Sequence, residues 1–97
     1  MVPEFKVLLN RNSDTLHVTL VGDFDGSSAH ELVKAIKRHG LNACSIFIHT
    51  SGLRQISSSS RAAFQTYLGR LKNRFFGKLV FTGEYAPIIA PEESRIV

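Results

Sequence analysis

The stretch Thr15-Leu16-His17-Val18-Thr19-Leu20-Val21, running through Gly22-Asp23-Phe24-Asp25-Gly26-Ser27 into Ser28-Ala29-His30-Glu31-Leu32, decides the fold. Leu16, Val18 and Leu20 alternate with Thr15, His17 and Thr19. A period of two with one apolar face predicts a half-buried strand. The glycines and aspartates over residues 22–27 predict a loop. Ser28 and Glu31 have capping-box spacing, so a helix is expected from Ser28. Its apolar positions are Ala29, Leu32, Val33 and Ile36, and Gly40 ends it.

Upstream, Phe5, Val7 and Leu9 share one face of a first strand over residues 5–9, and the polar cluster at residues 10–14 predicts a turn, so the chain opens with a hairpin. Downstream, residues 44–48 are nearly all apolar and predict a buried strand, with Cys44 a small core residue. Residues 49–55, with Gly52, predict a loop. A second helix is expected from Ser58 or Ser59 to Asn73, its stripe formed by Phe64, Tyr67, Leu68, Leu71 and Phe75. Gly77 breaks that pattern and residues 78–82 predict a last strand. Residues 83–97 contain Pro87 and Pro91 and show no period.

The order β-β-α-β-α-β predicts an α/β domain with a mixed sheet and parallel crossovers. Open sheets of this class place function at the carboxyl ends of strands. The loops at residues 22–27 and 49–57 fall at the same edge.

Composition agrees with one soluble domain over residues 1–97. The chain is 43% hydrophobic and 21% charged, and its single cysteine allows no internal disulfide. No apolar stretch approaches the ~20 residues of a membrane span and no signal-peptide pattern appears, so a cytoplasmic location without membrane insertion is expected. The net charge is +4. Nucleic-acid binding is not expected, because Phe64, Tyr67 and Phe75 lie on the apolar stripe, apart from the basic residues.

The run Ser57-Ser58-Ser59-Ser60 enters the second helix. A serine there is either a cap or a phosphate acceptor at the positive end of the helix dipole. No nucleophile elbow, P-loop or metal-ligand spacing is present, so no cofactor, metal or catalytic residue is expected. The enzymatic alternative is a serine hydrolase using Ser58 and His49.

The order of motifs resembles a STAS domain, the family of anti-sigma factor antagonists, most strongly over residues 14–87. Leu20-Val21-Gly22-Asp23-Phe24-Asp25 is similar to the family's strand end and loop aspartate, and Ile46-Phe47-Ile48 with Leu53 to its buried strand and loop. Ile56-Ser57-Ser58-Ser59-Ser60 falls where the family has an apolar residue, Asp, Ser, Ser or Thr, then Gly. Here Ser57 replaces the aspartate, Ser60 the glycine, and Arg61 a common apolar residue.

The resemblance implies a non-enzymatic interaction module with Ser58 as the phosphorylation site. It places Asp23, Asp25, Ser57, Ser59 and Arg61 on the surface that meets a protein partner, such as an anti-sigma factor or Ser/Thr kinase. An unphosphorylated scaffold, or a subunit of a transport or lipid-handling assembly, is the alternative. The family's final helix is expected to be shortened, with Pro91 interrupting it. The tail from Ile88 to Val97 then either packs on a second copy as a homodimer or folds back as an irregular lid.

Overall fold

The alternation that begins at Thr15 runs three residues further than the pattern of the sequence suggests. In the computed structural model, which describes residues 5–40, 42–70, 78–90 and 94–97, β1 (Lys6–Asn12) pairs antiparallel with β2 (Thr15–Phe24). The loop between them is only Ser13-Asp14, and Ser13 sits at φ 58°, the side of φ that two-residue hairpin turns require. Two-residue closure lengthens both strands at the expense of the expected turn.

Helix α1 (Gly26–His39) follows, then β3 (Ser45–Ile56), α2 (Ser60–Gly69), β4 (Leu79–Thr82), α3 (Ala86–Ile89) and β5 (Arg95–Ile96). The sheet order is β1-β2-β3-β4-β5, parallel from β2 onwards. This is the expected mixed α/β architecture with an N-terminal hairpin.

One sheet face carries the core. Leu16, Val18, Leu20 and Phe24 of β2 join Ile46, Ile48 and Leu53 of β3 and Leu79 and Phe81 of β4. Against them pack Leu32, Val33 and Ile36 of α1, Phe64 and Leu68 of α2, and Ile89 of α3. Phe5, Phe24, Phe64 and Phe81 make an edge-to-face row with centroids 5.9, 6.1 and 6.0 Å apart. Such pairs add to the stabilisation from area burial alone. The opposite sheet face bears the half-buried His17, Thr19, Val21, Phe47 and His49.

Several local expectations are corrected. Residues 49–55 are strand, not loop. The register steps from Thr19↔His49 to Val21↔Gly52, and from Gly22↔Leu53 to Asp23↔Gln55, so β3 carries an extra residue at each of two bulges. The bulges break the alternation while pairing continues. A Cβ on Gly52 would stand 2.6 Å from the Leu20 carbonyl oxygen, so glycine is there for close approach between strands.

Cys44 is exposed rather than core, because the ladder starts at Ser45 and Cys44 lies at a bend beyond its end. Its N–H donates to the Asp14 carbonyl at 2.6 Å. Helix α2 begins at Ser60 and ends at Gly69, short of the expected Asn73, and the stripe members Leu71 and Phe75, with Gly77 and Pro91, fall outside the described residues.

The tail is more regular than its sequence suggests. Ala86 and Ile89 are buried, Ile96 pairs with Phe81, and the Val97 N–H donates to the Phe81 carbonyl at 3.0 Å. It folds back on its own domain, and does so as a strand. Backbone pairing needs no apolar period, which is why periodicity alone missed it.

Candidate functional site at the carboxyl end of the sheet

β2 and β3 end side by side. Phe24 pairs with Ile56, and the Ser57 N–H donates to the Phe24 carbonyl at 2.9 Å. This bond ties the turn before α1 to the turn before α2, and so brings Asp23, Asp25, Ser57, Ser58 and Ser59 to one end of the sheet. Arg61 follows, exposed, in the first turn of α2.

The first turn is held by Asp25, not by Ser28 as the capping-box spacing suggests. Asp25 is extended at φ −119° and its Oδ1 accepts the Ser28 backbone N–H at 2.9 Å. The Ser28 hydroxyl lies 2.8 Å from the Asp23 carbonyl and 3.0 Å from Asp25 Oδ1. Two acceptors around one hydroxyl fix Ser28 inside the turn, where it is buried. Aspartate is as good a cap as serine, and the helix begins two residues earlier than expected.

The Ser28 backbone N–H, then the Ser28 hydroxyl, hold the Asp25 carboxyl below its ordinary pKa of 3.8. A depressed carboxylate contributes stability above its unfolded pKa and loses it as pH falls through the folded value. Asp25→Ala is expected to cost about 0.5–2 kcal/mol at neutral pH. Thermal unfolding should show that difference shrinking below pH 4, and a variant as stable as the parent at pH 7 would remove the cap from the account.

The second turn is held by Ser60. Its hydroxyl and its N–H both donate to the Ser57 carbonyl, at 2.7 and 3.2 Å. Ser60 is fully buried. It occupies the position where the resembled family has glycine, and its hydroxyl finds an acceptor within its own turn. Ser59 is the residue before α2, but its φ −89°, ψ −14° is helical and its side chain makes no cap bond. Ser57, Ser58 and Ser59 are exposed, whereas Ser60 is enclosed.

Around these turns the charges are mixed. Arg54 Nε lies 3.6 Å from Asp23 Oδ1, an ion pair too long to be a hydrogen bond, and that oxygen has no hydrogen-bond partner among the described residues. With the two side chains 58% and 35% exposed, the pair contributes at most about 1 kcal/mol. Beside it an open cleft of about 460 Å³ is lined by Phe5, Val7, Asp23, Asp25, Ser28 and Glu31. No single segment of the sequence reveals the cleft, because Phe5 and Val7 come from the N-terminal end, Asp23 and Asp25 from the end of β2 and the turn after it, and Glu31 from α1.

The hydrolase arrangement does not form. Both ring nitrogens of His49 are taken, one by His17 and one by Thr82, which leaves none for Ser58. Among the described residues no cluster of three metal-ligating side chains occurs, and no helix is long and apolar enough to cross a membrane.

No family model matches the sequence, and no curated protein matches it. Solved structures do. An uncharacterised DUF3478-family protein with a SpoIIAA-like fold, from Shewanella loihica PV-4, superposes with TM-score 0.60 at 17% identity, covering 100% of this chain and 88% of the other. The anti-sigma factor antagonist SpoIIAA in its unphosphorylated form superposes with TM-score 0.55 at 13% identity, covering 97% and 87%. The chain has a STAS-like fold. A crystal structure of Mglu also superposes on the chain, with TM-score 0.64 at 17% identity over 93% of this chain. The chain spans 20% of Mglu, so that likeness concerns one part of a larger protein. At these identities the three comparisons speak of the STAS-like fold alone.

Proposed function

We propose that this STAS-like domain is a cytoplasmic protein-interaction module whose docking surface is the paired-turn end of the sheet and whose switch is Ser58. The observation that carries the reading is the contrast within the serine run. Ser60 is buried and bonded, while Ser58 stands exposed in the turn two residues before α2, one residue from the bond that joins the two turns.

A phosphate on Ser58 brings about −1.5 to −2 charges to this surface. It sits at the dipole-positive start of α2 and beside a turn that carries Asp23 and Asp25. The change alters the charge presented to a partner while the bonds that hold the turns, made by Ser28, Ser57 and Ser60, stay in place. The partner is a protein such as an anti-sigma factor or a Ser/Thr kinase.

The test uses the folded chain as bait in extracts of its native cell, in parent, Ser58→Ala and Ser58→Asp forms. A partner held by the parent and Ser58→Ala, and lost by Ser58→Asp, is the expected result. A partner held equally by all three favours an unswitched scaffold.

A further inference from the structure

On the sheet face opposite the helices, His17 of β2, His49 of β3 and Thr82 of β4 form a continuous hydrogen-bonded row. His17 Nδ1 lies 3.0 Å from His49 Nε2, and His49 Nδ1 lies 2.7 Å from Thr82 Oγ1. The two imidazole planes are 4° apart and their centres 5.2 Å apart. That separation is nearly accounted for by the N···N contact plus the radius of each ring. The two nitrogens therefore lie on the line of centres, and the rings meet edge to edge, not face to face.

In-line nitrogens are the geometry of an N–H···N bond. They are wrong for a shared metal ion, whose ligand lone pairs converge on it from an angle. Phe47 stands opposite His17 in the ladder, its ring 5.2 Å from the His17 ring and 6.2 Å from the His49 ring, nearly parallel to both. It takes part of the pair out of water.

An N–H···N bond requires one nitrogen without a proton. In the neutral pair His49 donates from one nitrogen and accepts at the other, and the Thr82 hydroxyl serves in either direction. One added proton is accommodated: the charged ring donates to the neutral one across the N···N contact, and His49 donates through Nδ1 to Thr82. A second proton is not. It sets N–H against N–H and two like charges side by side.

We propose that the His17–His49–Thr82 row is a proton-operated clamp, holding β2, β3 and β4 together while the pair carries at most one charge and releasing them when acidification adds the second.

The surroundings sharpen the response. By register, β1 places Asn10 opposite His17 and Lys6 opposite Val21, and β5 places Arg95 opposite Val80. Of the carboxylates flanking these strands, Asp14 lies in the hairpin turn, Asp23 is beyond a bulge and paired with Arg54, and Glu84 is in the turn after β4. Helices α1, α2 and α3 contribute to the core on the other face. The charged residues placed on this face of β1 and β5 are thus cationic, and none of them compensates a dication. In agreement, burial and then the charge of His17 push the His49 pKa below its ordinary 6.5. A histidine depressed in the folded state contributes stability above its unfolded pKa, and that stability is lost as pH falls below it toward the folded value. The device is independent of the serine turn.

Ring-nitrogen NMR of the parent protein from pH 8 to 4.5 tests the clamp without any variant. The pair is expected to take its two protons in separate, coupled steps, with His49 protonated below 6.5 and amide exchange in β4 rising beyond its intrinsic pH dependence at the second step. In His17→Asn the His49 midpoint is expected to move up toward 6.5. Independent titration of the two rings, or β4 exchange indifferent to the second step, overturns the proposal. If His17→Asn does not fold, the titration of the parent alone decides.

Discussion

Phe24→Ala is expected to lower the stability of the domain by about 3–5 kcal/mol, the range for truncating a fully buried phenylalanine. Phe24 is 1% exposed, at the last position of β2, and stacks edge to face with both Phe5 and Phe64. Its removal leaves a void bordered by Phe5, the end of β2 and α2, which cannot all move inward. Phe5, half-buried at the margin of the same row, should cost less when truncated. Urea unfolding of both variants checks the order. A loss below about 1 kcal/mol at Phe24 would place the ring outside the core and undo the extension of β2 to that residue.

Gly83→Ala carries the second large penalty, about 2–5 kcal/mol. Gly83 has φ 97°, outside the regions an L side chain readily adopts. A Cβ there would also stand 2.5 Å from Thr50 Oγ1 and 2.8 Å from the Ser51 nitrogen. The first effect is worth about 1–2 kcal/mol and the second about 1–3 kcal/mol, since Thr50 is buried and its hydroxyl is bonded to the Thr82 carbonyl at 2.7 Å. Thr50 has nowhere to retreat without breaking that bond. Thermal unfolding measures the effect, and a variant within 0.5 kcal/mol of the parent, inside the ordinary range for surface substitutions, would show that the turn after β4 relaxes freely.

These two positions mark where reading the sequence succeeds and where it stops. Leu16, Val18 and Leu20, and the α1 positions Ala29, Leu32, Val33 and Ile36, are buried as their periods predict. Local periodicity reports such faces directly, because each face is made by one element. Phe24 was hidden between two aspartates and two glycines, a composition that reads as loop, yet its burial is decided by α2, some 40 residues away along the chain. The second half of β3 was hidden for a related reason: Gly52 and the bulges beside it destroy alternation while preserving pairing with β2. The grouping of Asp23, Asp25, Ser57, Ser58 and Ser59 followed from fold order, since adjacent parallel strands end together. The Asp25 cap and the Ser60 bond did not, because each depends on which residue takes the extended conformation at a turn. The His17–His49 contact joins residues 32 apart and depends on register, which neither segment encodes by itself.

The most direct measurement on the switch compares the chain carrying phosphoserine at position 58 with the unmodified chain, each immobilised and exposed to native-cell extract, with bound proteins identified by mass spectrometry and their affinities then measured by titration. A carboxylate substitution carries one charge and lacks the phosphate's oxygens, so the true phosphoprotein is the stricter comparison. The account predicts a partner bound by the unmodified chain and weakened at least tenfold by the phosphate, with circular dichroism showing the fold of both baits unchanged. The same proteins bound with the same affinity by both forms, or by the phosphorylated form alone, would contradict it.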